Sequence, residues 1–300
     1  LNSNRLGFRG VEDLGGGMKA SFWLEGGMAN DTGLGGNASG GFDFARRSTV
    51  SLSGNFGEIR LGRDYTNSFS TKAAYDAYGA NGMGTPLNMY AGTVANLGSG
   101  AGTVLRANNM VGYFLPGNLG GLYGSVQMAA GEAVSGNKYT GARLGYAAGP
   151  FDISGGFSKT DIAGTSNDFK TTNFGASFNM GFAKVMALYD QHKFGALKYT
   201  TTAISTAIPM GQGEFKALFS KGNAAGGTIG ADDSTLFGLE YIHNLSKRTA
   251  LYTQYGRLKN KGAAANAVAG GFDWNTVAPG VQTSAGGTST GYGAGIRHMF

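Results

Sequence analysis

The chain has 300 residues, of which 55 are Gly, 5 Pro and none Cys, and it carries a formal net charge of +6. Zero cysteine excludes a disulfide framework and thiol chemistry, and no run of 18 apolar residues offers a transmembrane helix. Lys and Arg are spread along the chain rather than clustered, which argues against a nucleic-acid partner and suits contact with anionic lipid head groups.

Residues 4–11 put Leu6 and Phe8 on one face and Arg5, Gly7 and Arg9 on the other, and residues 12–16 predict a tight turn. Residues 17–27 alternate Met18, Ala20, Phe22 and Leu24 against Lys19, Ser21, Trp23 and Glu25. A Gly/Asn/Asp-rich loop follows, to about residue 43. Residues 44–54 carry Val50 and Leu52 outward with Thr49 and Ser51 inward. After a turn at Asn55-Phe56-Gly57, residues 58–64 return with Ile59 and Leu61 outward and Arg60 inward. Residues 65–104 form the longest early connection, yet they hold Tyr75, Tyr78, Met83, Leu87, Met89 and Tyr90. A structureless stretch of that length needs a job. Its apolar content predicts packing against a wall.

Further strands are predicted at 105–115, 121–130, 138–148, 151–160, 169–180, 183–194, 197–210, 213–222, 234–244, 247–258 and 287–300. The turns at 116–120, 149–150, 181–182, 211–212 and 245–246 contain residues that tolerate positive φ or fix a turn. Short and long connections are expected in strict rotation, as in outer-membrane barrels. In the last strand Tyr292, Ala294, Ile296, His298 and Phe300 share a face, which predicts an aromatic Phe300 at the membrane interface.

The pattern therefore predicts an all-β fold, a transmembrane antiparallel β-barrel occupying residues 1–300 as one domain. Fifteen strands are read. Single-chain bacterial barrels have an even number with both ends on the short-turn side, so a sixteenth strand and its outer loop are expected to precede residue 1. Together they would add on the order of 30 residues; otherwise two open edges would face lipid.

Several segments resemble one family, the trimeric general porins of Gram-negative outer membranes, and within it the anion-selective porins of betaproteobacteria. They are NRLGFRGVEDLGGG at 4–17, RSTVSLSGNFGEIRLGRD at 47–64, RANN at 106–109, YIHNLSKRT at 241–249 and GIRHMF at 295–300. The resemblance implies sixteen strands, a third loop folded into the lumen, and a homotrimer among outer-membrane lipids and lipopolysaccharide. It also implies passive passage of small anions (organic acids, phosphate, chloride) past an arginine cluster at the constriction. By position those arginines are Arg5, Arg46 and Arg106, with Glu25 and the inner-loop Asp76 as sparse counter-charges.

Alternation independently turns Arg5, Glu25 and Arg106 inward. For residue 46 the two arguments differ, because counting back from Leu52 and Val50 makes Arg47 the inward residue. A bulge resets such a phase, so Arg46 and Arg47 both stand. Arg60 and Arg143 also face inward and extend a basic ladder. The bland reading of each arginine is a solvated, salt-bridged wall residue. His192, His243 and His298 lie on different strands and suggest no metal site, no cofactor motif is present, and Trp23 and Trp274 read as packing or interface residues. Two other classes remain: an outer-membrane barrel enzyme, which needs a Ser/His pair at the outer rim, and a plugged structural or adhesive barrel.

Overall fold

The structure is a computed structural model that describes residues 4–29, 32–35, 41–90, 97–268 and 283–300. Fifteen antiparallel strands pair strictly in chain order into one sheet. They begin with β1 (Arg5–Gly15), β2 (Met18–Gly27), β3 (Arg47–Gly54), β4 (Gly57–Tyr65) and β5 (Arg106–Phe114). The middle of the wall is β6 (Leu122–Ala129), β7 (Tyr139–Ala148), β8 (Phe151–Thr160), β9 (Phe169–Asn179) and β10 (Lys184–Phe194). It closes with β11 (Leu197–Met210), β12 (Gly213–Ala225), β13 (Ser234–Asn244), β14 (Thr249–Asn260) and β15 (Thr288–His298). All fifteen predicted strands are present.

Burial inverts the order of a soluble sandwich. Val50, Leu144, Phe157, Phe174 and Ile204 are exposed, while Thr49, Ser158, Asn173, Thr201 and Ser220 on the opposite phase are buried. Apolar side chains pointing out and polar ones in is the arrangement that a lipid surround demands of a barrel wall.

Three sequence expectations are corrected. The turn expected at residues 12–16 is shorter, because β1 runs to Gly15 and Gly15, Gly16 and Gly17 make the reversal with φ of 79°, 59° and 81°. The strand expected from residue 44 starts at Arg47. Rotation of short and long connections also fails once. On the long-loop side, β10 and β11 are joined by Gly195 and Ala196 alone, a two-residue hairpin that Gly195 permits with φ of 56°.

The connection between β4 and β5 (loop 3) lies inside the wall, as its apolar content predicts. It opens with a helix, α1 (Asn67–Ala74), capped by the Thr66 hydroxyl, which accepts from Phe69 N. Sequence alone gave no reason to expect this helix. The wall supplies one, since Asn67 is held on every side. Its backbone N–H donates to Gln127 Oε1 at 2.8 Å, its Nδ2 donates to Ser125 O and Gly141 O, and its Oδ1 accepts from Ser125 Oγ. One residue on, Asn173 Nδ2 donates to Ser68 O at 2.7 Å. Under α1, Lys72 Nζ lies 2.9 Å from His192 Nε2 and 3.3 Å from Asp190 Oδ2.

The loop then crosses the interior. Tyr75 sits on Gly175 of β9 so closely that a Cβ there would lie 1.8 Å from the ring. Tyr78, Met89, Leu218, Leu236 and Leu258 form an apolar cluster on the far side, and Met83 N donates to Gln254 Oε1 of β14. A single loop that touches both β6–β9 and β13–β14 requires the sheet to curl around it.

Candidate functional site

Arg5 opens β1, Arg46 occupies the bend just before β3, and Arg106 opens β5. Pairing brings all three to one place. Arg46 N donates to Glu25 O at 3.1 Å, tying the bend to β2, and Arg106 is the register partner of Tyr65. Glu25 Oε1 accepts from Arg46 Nε at 2.8 Å and from Arg5 Nη1 at 3.3 Å. Arg106 Nη2 donates to Tyr65 Oη at 2.9 Å, its guanidinium lies 4.4 Å from the Tyr65 ring centre, and its Nε has no partner among the described residues. The three arginines, Tyr65 and loop 3 residues Phe69 and Leu87 line a cavity of ≈ 230 Å³. Three guanidiniums thus face one carboxylate, a local charge of +2.

Arg47 and Arg60 belong to a second group. Arg60 donates to Glu58 Oε1 and Oε2 at 2.8 and 2.9 Å and to Asp64 Oδ2 at 2.7 Å. Arg47 Nη2 lies 3.3 Å from the same Asp64 oxygen. Two cations meet two acids, and this group is neutral. Both guanidiniums are also stacked, Arg47 at 4.2 Å over Trp23 and Arg60 at 4.1 Å over Phe114. Trp23 is thus a platform inside the lumen rather than an interface residue, and Trp274 lies outside the described residues. The choice between Arg46 and Arg47 dissolves. Arg47 is inward by strand phase, and Arg46 precedes the strand, where phase does not apply.

Arg143 stands apart on β7, donating to Ser154 Oγ at 3.2–3.3 Å with its guanidinium 5.1 Å from the Tyr123 ring centre. Asp76 does not join the arginines. Its carboxylate accepts from Tyr78 N at 2.9 Å, Ala80 N at 3.0 Å and Thr85 Oγ1 at 2.7 Å, all inside loop 3. Burial pushes its pKa up to about 6, against the lowering effect of those bonds. His192 is buried beside Lys72 and Asp190, while His243 and His298 lie on β13 and β15. Phe300 is fully exposed, its ring 4.7 Å from that of His298.

Sequence reasoning missed Glu58, Asp64 and Tyr65. The two acids were legible, since they share the phase of Arg60 at i−2 and i+4. Tyr65 carried no such signal.

Residues 1–263 match the family described as Gram-negative porin. The chain is 41% identical over 313 residues to outer membrane porin protein 32 of Delftia acidovorans, a match covering 100% of this chain and 85% of that protein. The structure resembles the anion-selective porin from Comamonas acidovorans with a TM-score of 0.85 at 37% identity, over 99% of this chain and 90% of that one. OmpT of Vibrio cholerae, in its trimer form, shares the fold with a TM-score of 0.69 at 15% identity, over 99% and 91% of the two chains. A greasy-out, polar-in wall with its third loop turned inward agrees with these matches, and the chain belongs to the Gram-negative porins, outer-membrane barrels through which small solutes diffuse passively.

Proposed function

We propose that this porin prefers small anions, and that Arg5, Arg46 and Arg106 set the preference at the level of loop 3. The observation that carries the reading is the imbalance at the cavity, three guanidiniums against the single carboxylate of Glu25. A unit charge at 4 Å is worth about 1 kcal/mol in water and more where protein walls lower the effective dielectric. At about 1.4 kcal/mol per decade, two net charges bias occupancy toward anions by roughly 10- to 100-fold. Arginine suits the task because it stays charged at any working pH and its fork matches carboxylate and phosphate oxygens. The likeness to the anion-selective porin from Comamonas acidovorans supports the sign.

Chloride, phosphate and small organic acids are the solutes this field favours. Arg143 and the neutral Arg47/Arg60 group line the path without adding the same excess. The functional unit is a homotrimer in which residues 1–300 contribute a single barrel domain to each protomer, embedded among outer-membrane lipids and lipopolysaccharide. The test is the reversal potential of the purified protein in planar bilayers under a KCl gradient. A potential on the chloride side at 0.1 M that shrinks at 1 M is expected, because screening shortens from about 10 Å to about 3 Å. A potassium-side potential overturns the reading.

A further inference from the structure

On the outward face, four lysines from four adjacent strands stand side by side. The register pairs Lys159 of β8 with Lys170 of β9, Lys170 with Lys193 of β10, and Lys193 with Lys198 of β11. All share the phase of exposed, lipid-side residues such as Phe157, Phe174 and Ile204. Lys159 is answered by Asp161 at 3.1 Å and Asp168 at 3.3 Å. Lys170, Lys193 and Lys198 are exposed and have no ion pair among the described residues. Directly opposed side chains in a sheet stand about 5 Å apart, where like charges repel. Lys193 has such a neighbour on each side.

Two further observations say what relieves this repulsion. The ladder ends at the Gly195–Ala196 hairpin, the one long-side connection with no length to fold over the wall, so the ammonium groups are open to the outer leaflet. Toward the membrane middle, β8 and β9 of the ladder join β5, β6 and β7 in an apolar groove of ≈ 690 Å³ lined by Tyr113, Val126, Leu144, Phe157, Thr172 and Phe174. Lys170 is two residues from Thr172, about 7 Å along the strand. Cationic heads above an apolar trough match a molecule with phosphate at one end and an acyl chain at the other. Lysine stems lie along apolar surface while their heads stay wet, and clustered lysines at a bilayer surface attract anionic head groups.

We propose that the outward face of β5–β11, lysines on β8–β11 above a groove on β5–β9, is a docking site for a phosphorylated outer-leaflet lipid. Its phosphate sits among Lys170, Lys193 and Lys198, and one acyl chain occupies the groove. The assignment rests on the reading of lipopolysaccharide as a partner and adds the place and the groups that hold it.

Native mass spectrometry of the full chain in neutral detergent tests it. The probes are diphosphoryl lipid A, its dephosphorylated counterpart, phosphatidylcholine and inorganic phosphate. The variant Lys170→Glu/Lys193→Glu/Lys198→Glu is expected to bind diphosphoryl lipid A at least 10-fold more weakly, with unchanged single-channel conductance as evidence of an intact barrel. Lys193→Met, which removes one charge and keeps the stem, should lose several-fold. Lys247→Glu/Arg248→Glu, at the short-turn end, should stay within two-fold of the parent. Equal binding by parent and ladder variant overturns the site while leaving lipid partnership standing. No lipid A binding by the parent overturns both. Equal affinity for the dephosphorylated lipid, displacement by millimolar phosphate, or dissociation of the oligomer in the ladder variant (a second copy covering the face) each overturns the lipid assignment.

Discussion

Two groups of arginine share one stretch of wall and differ in what surrounds them. Arg5, Arg46 and Arg106 share one acid, Glu25, and border the cavity beside loop 3. Arg47 and Arg60 divide two acids, Glu58 and Asp64, in a compact network. By residue type the two groups look alike, as neighbouring arginines at the start of the wall. Only the acid count separates a group that projects a field into the lumen from one that cancels within itself. A channel's sign is therefore read from unpaired charge, not from the number of cations on its wall.

Removing the excess should have the largest effect. The double variant Arg46→Ala/Arg106→Ala leaves Arg5 against Glu25, and anion-over-cation permeability should fall by up to roughly 100-fold, toward unity, at about 1.4 kcal/mol per decade. Arg106→Ala alone removes one charge without orphaning a carboxylate, and a drop of roughly 10-fold in the same reversal-potential measurement is expected. The neutral group supplies the contrast. Glu58→Gln/Arg60→Gln deletes one charge of each sign, so its permeability ratio should stay within about two-fold of the parent. A large shift there would erase the distinction between the groups.

Asp76→Asn should change selectivity least, since that carboxyl is turned into loop 3. It should act on stability against pH instead. The folded pKa is raised to about 6 from an ordinary 3.8, so between those values the folded loop binds more protons than the unfolded one. The stabilising contribution is complete below pH 3.8 and is lost as pH rises through about 6, roughly 3 kcal/mol at about 1.36 kcal/mol per unit. Amide protection factors across residues 67–90, which divide out the intrinsic base-catalysed rise of exchange, should fall over that window in the parent and stay flat in the variant. Unchanged pH dependence in Asp76→Asn would assign the transition to another group.

Much of this architecture is legible in the chain because a lipid-bound wall writes its faces into every second residue. Phe151–Thr160 shows it cleanly, with Phe151, Ile153 and Phe157 exposed and Ser154, Ser158 and Thr160 buried. The helix Asn67–Ala74 was not legible. Its sequence, NSFSTKAA, has no apolar stripe of its own, and the order comes from Gln127, Ser125 and Asn173 on distant strands. Strand phase placed Arg5, Arg47, Arg60, Arg106 and Arg143 inward but, counted through a strand read from residue 44, spoke against Arg46, which only the resemblance kept; the strand starts at Arg47, so that count did not apply. The Gly195–Ala196 hairpin broke an expected rotation that no local rule enforces.

The stacking of Arg106 on Tyr65, Arg47 on Trp23 and Arg60 on Phe114 has a bearing on throughput. A flat cation held against a ring, a contact worth about 0.5–2 kcal/mol, is expected to sweep across the bore less than a free chain would and to hold the calibre steadier from one passing ion to the next. Exchanging Arg106 for Lys would keep the valence and surrender that steadiness, and the difference would be heard as current noise rather than seen as a change of sign.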